Sequence, residues 1–206
     1  MSRPEYELLA RLRPSPVEQS ETKIAMVAES EAEGETAAVY QYFRDQTGRQ
    51  DVPGILKCFA TDPGYARHMV DLSSSLLFSD GKLSRRHKEM IATWVSSLNR
   101  CPYCFDSHGF FLQVQGGSDA LLRSFAERDL NGAALTDAEQ KLLAYVEKVN
   151  GASFRTSRED VESLIAAGWS EKQIAETVHV ATMMGLCNRV ANAFGLESQD
   201  LLALTL

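Results

Sequence analysis

The sequence predicts an all-α fold of about eight to ten helices without a β-sheet, and three observations support this prediction. Apolar residues recur at helical spacing along nearly the whole chain of 206 residues. No segment alternates convincingly between apolar and polar residues, and no Asn-Gly or Asp-Gly hairpin turn connects two such segments. Residues that favour helix N-termini stand in front of the periodic segments, and glycines follow several of them.

The chain is predicted to divide into an irregular N-terminal arm and one helical domain. The arm comprises residues 1–20, where Pro4, Pro14 and Pro16 interrupt a stretch of mixed charge. Residues 21–206 contain no clear linker, so we expect them to form a single all-helical domain.

The predicted helices are bounded by prolines, glycines and capping residues. Asp62 and Pro63 begin one helix as cap and first-turn residue, and Ser84 caps the next. Thr136 and Glu139 form a capping-box pattern further on. The predicted helices span residues 21–47, 53–60, 62–78, 85–99, 102–115, 118–128, 136–150, 157–168 and 170–195.

Charge and composition exclude several classes of protein. The formal net charge of −7 argues against nucleic-acid binding, which relies on neutralising phosphates with basic side chains. No uninterrupted apolar run of about 18 residues could span a bilayer, so no membrane association is expected. No apolar secretory signal is visible either, so a cytoplasmic location is expected. There, four cysteines are more typical of redox or metal chemistry than of a disulfide scaffold.

One helix carries a group of residues whose spacing indicates chemistry. Cys101 and Cys104 are three residues apart and His108 follows four residues later, so all three share one helical face. Pro102 fits the first helical position, which places Cys101 at the N-cap. The free amide groups and positive dipole end of the helix stabilise a thiolate there. His108 is positioned to accept a proton from Cys104, directly or through one water.

Glu89 lies on the preceding predicted helix, on a face of small side chains that allows another helix to approach closely. A buried carboxylate needs a partner, and the imidazole of His108 is a natural candidate. A solvated helix face is the alternative for Glu89, because Arg85, Arg86 and Lys88 are close in sequence. The two cysteines also have alternatives, either as small buried apolar residues or as zinc ligands together with His108.

These residues resemble the signature of alkylhydroperoxidase D and its relatives in the carboxymuconolactone decarboxylase superfamily. The signature is Glu89, eleven intervening residues, and then Cys101-x-x-Cys104-x-x-x-His108. The signature-bearing part covers about residues 60–128, and a weaker similarity to the longer peroxidase-related branch extends over about residues 30–196. That weaker similarity includes Val52-Pro53-Gly54-Ile55-Leu56, Asp62-Pro63 and Asn188-Arg189-Val190-Ala191-Asn192-Ala193-Phe194-Gly195.

The resemblance implies an alkylhydroperoxidase D-like helical bundle, a homo-oligomer and a thiol peroxidase cycle without metal or organic cofactor. It assigns Cys104 as the nucleophile that attacks a hydroperoxide substrate and Cys101 as the resolving thiol. His108 and Glu89 would form the proton relay, and an external dithiol or a lipoyl-bearing protein would be the reductant. Tyr103 occupies the position at which alkylhydroperoxidase D has a further relay histidine.

Two other functions remain open at this stage. A disulfide oxidoreductase or electron-transfer adaptor without peroxide activity would use the same dithiol. A non-catalytic helical oligomer would keep the cysteines for structural or metal-binding reasons.

Overall fold

Ten α-helices account for most of the computed structural model, which describes residues 4–12 and 22–202. No strand occurs in these described residues, and the predicted all-α fold is confirmed. The helices are α1 (Pro4–Leu12), α2 (Gly34–Thr47), α3 (Gly54–Phe59), α4 (Pro63–Leu72), α5 (Arg85–Leu98), α6 (Pro102–Val114), α7 (Asp119–Glu127), α8 (Asp137–Ala152), α9 (Arg158–Ala166) and α10 (Glu171–Phe194).

The predicted capping residues begin their helices. Asp62 and Ser84 accept hydrogen bonds from the backbone N–H three residues ahead, at α4 and α5 respectively. Thr136, Ser157 and Ser170 each form a complete capping box. These local contacts explain why helix starts are predictable from the sequence to within about two residues.

Helix α5 forms the centre of the fold. Residues 88–97 of this helix are all buried, and α5 packs most extensively against α6 and α10. Trp94 and Met90 are almost completely enclosed. Because α5 is covered on every side, its polar residues must find partners inside the protein, and Glu89 is one of them.

The helix predicted over residues 62–78 is interrupted. α4 ends at Leu72, and residues Ser73–Leu77 form a π-helical turn closed by the Phe78 N–H and the Ser73 carbonyl. The hydroxyls of Ser73 and Ser75 bond to carbonyls of the preceding turn, which is the usual way serine competes with regular helix geometry.

The prediction of an irregular arm over residues 1–20 is wrong for Pro4–Leu12, which form α1. Pro4 occupies the first helical position, where the missing N–H carries no penalty. Tyr6 and Leu9 lie on one face and pack against Phe110 and Phe111 of α6. Tertiary packing therefore stabilises a short helix that sequence propensity alone does not indicate. Residues 13–20 of the predicted arm lie outside the described residues.

Candidate active site

The two signature cysteines lie at the N-terminal end of α6. Cys101 is the N-cap residue, with extended backbone angles, and Pro102 is the first helical residue, as the sequence predicts. Cys104 follows one turn later on the same face. Both are free thiols, and both are buried at 1% and 3% relative exposure.

The two thiols differ in acidity. A hydrogen bond from the Cys104 thiol and backbone N–H groups at the helix start lower the pKa of Cys101, although burial opposes this. The pKa of Cys104 is raised, because its proton is held in the hydrogen bond to Cys101 and its site is desolvated. In the reduced protein the thiolate therefore rests on Cys101 and the proton on Cys104.

The predicted contact between α5 and α6 is present. Oε2 of Glu89 lies 2.7 Å from Nδ1 of His108, and the Glu89 side chain is completely buried. The solvated-face alternative for Glu89 is therefore wrong. When Nδ1 donates to the carboxylate, Nε2 of the imidazole carries the free electron pair that accepts a proton.

His108 is held in position by aromatic side chains as well as by Glu89. The Phe78 ring stacks on the imidazole at a centroid distance of 6.4 Å, and Phe111 meets it edge-on at 6.1 Å. Among the described residues, no hydrogen bond joins the imidazole directly to Cys104. A proton passing between them therefore requires a bridging water or a small side-chain movement.

A cavity of about 110 Å³ gives access to this site. Cys104 and His108 line it, whereas Cys101 does not. Its walls are mostly apolar side chains from α2, α3, α4, α6 and α10, and they include Phe43, Phe59, Met69, Val70, Met183 and Met184. The cavity therefore suits an apolar molecule and presents it to Cys104 rather than to Cys101.

Tyr103 has a packing role. Its hydroxyl accepts a hydrogen bond of 3.3 Å from the N–H of Ile55, and its ring lines the cavity. Burial raises the pKa of Tyr103 to about 12, which keeps the phenol protonated at neutral pH. Tyr103 therefore does not provide a second base in place of the relay histidine.

Sequence reasoning missed three residues of this site because they are distant along the chain or lacked a motif. Cys187 of α10 lines the cavity, and burial raises its pKa to about 12. Asn188, also of α10, is fully buried and bonds to Ser96 of α5, and its side chain lowers the pKa of both signature thiols. Arg85 approaches Glu89, whereas in the sequence it indicates only solvent exposure. In the described residues, no three Cys, His, Asp or Glu side chains are arranged to hold a metal ion.

This fold and site match known proteins. Residues 63–147 match the carboxymuconolactone decarboxylase family. The chain belongs to this superfamily, in its alkylhydroperoxidase D-like form, and the predicted family is confirmed. A curated relative, "Uncharacterized protein 4 in cox locus" of Paracoccus denitrificans, is 26% identical over 81 residues, which are 38% of this chain and 73% of that protein.

Solved structures show the same fold. An alkylhydroperoxidase AhpD-core, peroxidase-related protein from Ralstonia eutropha JMP134 superposes with a TM-score of 0.77 at 22% identity, over 89% of this chain and 95% of that one. A peroxidase-related protein from Silicibacter sp. TM1040 gives 0.71 at 24% identity, over 88% and 92%. The debrominase Bmp8, solved with 2,3,4-tribromopyrrole, gives 0.69 at 17% identity, over 91% and 98%.

The superfamily and its structural neighbours thus include enzymes of more than one chemistry, among them peroxidase-related proteins and a debrominase. No helix in the described part of this chain combines the length and apolar character that crossing a membrane requires.

Proposed function

We propose that this protein is a thiol-dependent peroxidase that reduces organic hydroperoxides through a Cys101–Cys104 dithiol/disulfide cycle. One observation carries the proposal: Cys104 and His108 line the same apolar cavity, and a fully buried Glu89 holds the imidazole. The site thus combines a sulfur nucleophile, a positioned base and space for an apolar substrate.

The first half of the cycle uses Cys104. His108 takes the proton of Cys104, and the resulting thiolate attacks the terminal peroxide oxygen. The O–O bond breaks, the alkoxide takes the proton back from the imidazolium and leaves as an alcohol, and Cys104 becomes a sulfenic acid.

The second half uses Cys101. Its thiolate, already favoured by the helix N-terminus, attacks the sulfenic sulfur of Cys104 and displaces hydroxide, which is protonated to water. An external dithiol, free or carried by a lipoyl protein, then reduces the disulfide by exchange. The lowered pKa of Cys101 thus suits the resolving role.

The experiment compares two single variants supplied with a hydroperoxide and a dithiol reductant. Cys104→Ser is expected to abolish hydroperoxide consumption, and Cys101→Ser is expected to accumulate a sulfenic acid on Cys104 that a dimedone-type probe labels. Mass spectrometry of the labelled peptides locates the modification. Unchanged turnover in Cys104→Ser, or labelling of Cys101 in that variant, would exchange or refute the assigned roles. Cys58→Ser is the matched control, because Cys58 is a buried thiol that does not line the cavity.

A second candidate is a disulfide oxidoreductase, and the acidity of Cys101 favours it. A low-pKa cysteine at a helix N-terminus within a Cys-x-x-Cys pair is the usual nucleophile for thiol–disulfide exchange. Stopped-flow kinetics separates the two functions. Rapid exchange with a protein disulfide and negligible reaction with hydroperoxides would favour the oxidoreductase.

A further inference from the structure

Four charged or ionisable side chains form a continuous line from α1 to the imidazole of His108. Nη2 of Arg85 donates to Oε1 of Glu5 at 3.1 Å, and Nη1 of Arg85 lies 2.7 Å from Oε1 of Glu89. The other carboxylate oxygen of Glu89 contacts His108 at 2.7 Å. All four side chains are at least 89% buried, so water screens their charges only weakly.

Arg85 is fixed in this position by the backbone and by Phe78. Its Nη1 donates to the Leu77 carbonyl at 2.9 Å, and its guanidinium lies 4.9 Å from the Phe78 ring centroid. Glu89 Oε1 has no aligned hydrogen bond, although Arg85 is in contact with it. The interaction of Arg85 with Glu89 is therefore mainly electrostatic.

The balance of charge gives each residue a distinct part. Glu89 stabilises a positive imidazolium, but the positive charge of Arg85 beside it cancels this effect. Glu5 neutralises Arg85 and restores one net negative charge to the group. When His108 accepts a proton, the four side chains together become neutral, which is the favourable state for a buried cluster.

We propose that Glu5 and Arg85 are positioning residues of the active site, and that α1 promotes thiolate formation at Cys104 by bringing Glu5 to Arg85. The inference rests on the proposed role of His108 as the base for Cys104. The other groups near His108 are accounted for. Cys187 of α10 lines the cavity as a protonated thiol, Asp106 of α6 binds backbone N–H groups, and Lys88 of α5 binds carbonyls and Glu176.

The experiment measures the rate at which iodoacetamide alkylates Cys104 between pH 5 and 9. The full chain carries Cys101→Ser, so that only Cys104 of the pair reacts, and mass spectrometry quantifies its peptide. Glu5→Gln is expected to slow alkylation at pH 7 roughly tenfold and to move the profile to higher pH, because a tenfold smaller thiolate fraction corresponds to a thiol pKa higher by about one. Glu7→Gln is the matched control, since Glu7 is exposed on the same helix.

A double variant separates electrostatics from simple disruption. Glu5→Gln with Arg85→Met removes one charge of each sign, so alkylation is expected to return to within about threefold of the parent. A double variant as slow as Glu5→Gln alone, or a Glu5→Gln profile identical to that of Glu7→Gln, would overturn the inference. Alkylation needs no peroxide, so a failure of hydroperoxide turnover refutes the proposed function without altering this result.

Discussion

Cys101 and Cys104 show how three residues of separation on one helix give two different thiols. Cys101 precedes the helix and receives N–H groups, whereas Cys104 lies inside the first turn, where backbone N–H groups begin to be used by the helix itself. Only Cys104 lines the cavity. The site therefore separates the more acidic thiol from the more accessible one, and His108 is required if the accessible thiol is to become the nucleophile.

This difference predicts a stepwise titration of the reduced protein. Absorbance at 240 nm is expected to show one thiolate forming below the free-cysteine pKa of about 8.5. The other three thiols ionise only well above that value, because burial raises the pKa of Cys58 and of Cys187 to about 12 and the pKa of Cys104 is also raised. Cys101→Ser is expected to remove the first step, and a titration without any step below about 8.5 would contradict the assignment.

The same shifts give the reduced fold a pH dependence. Because the pKa of Cys101 is lowered in the folded chain, its ionisation stabilises the fold above its unfolded value, and this contribution is lost as the pH falls through the lowered pKa. The raised pKa values of Cys58 and Cys187 act in the opposite sense. Their stabilising contribution is present below the unfolded value and is lost as the pH rises toward about 12.

At the scale of elements, α6 organises the site on one face and the C-terminal segment on another. The buried carboxylate of Asp106 accepts hydrogen bonds from the N–H groups of Gln199 and Leu202, at 2.9 and 3.0 Å. Leu201 and Gln199 line the cavity. Asp106 therefore holds residues 196–202 as part of the cavity wall, although these residues form no long helix of their own.

Asp106→Ala is expected to destabilise the fold by about 1–3 kcal/mol, because it leaves two backbone N–H groups without their acceptor. The C-terminal segment is also expected to become sensitive to limited proteolysis. Urea denaturation and mass spectrometry of the proteolytic fragments measure the two effects. Asp45→Ala, at an exposed site of α2, serves as the control, and equal stability and proteolysis of the two variants would refute the role of Asp106.

At the scale of the whole molecule, α5 connects the site to the rest of the core through Lys88. This side chain is completely buried, and its Nζ contacts the carbonyls of Leu76 and Ser79 and Oε1 of Glu176, at 2.7, 2.8 and 2.9 Å. The other oxygen of Glu176 accepts the N–H of Leu83 at 2.7 Å. One ion pair therefore joins α5, α10 and the segment that carries the π-helical turn and Phe78.

Lys88→Met is expected to cost about 3–5 kcal/mol of folding free energy, because it leaves Glu176 and two carbonyls without their buried partner. The double variant Lys88→Met with Glu176→Gln is expected to recover part of the loss, since no unpaired charge remains. Chemical denaturation measures both. Lys141→Met, which removes an exposed pair with Asp137, is expected to change stability by less than about 1 kcal/mol. A similarly small effect of Lys88→Met would contradict the expectation.

Local sequence was enough to establish the helical class, the helix starts and the candidate pairing of Glu89 with His108, because capping, helical periodicity and an i, i+3, i+7 motif are local properties. It did not reveal α1, which forms through packing of Tyr6 and Leu9 on α6. Contacts in the folded chain determine that Cys104 rather than Cys101 lines the cavity, and that Glu5 and Asn188 join the site. Burial and contacts between distant residues set these features, and no short stretch of sequence records which helices will enclose a given side chain.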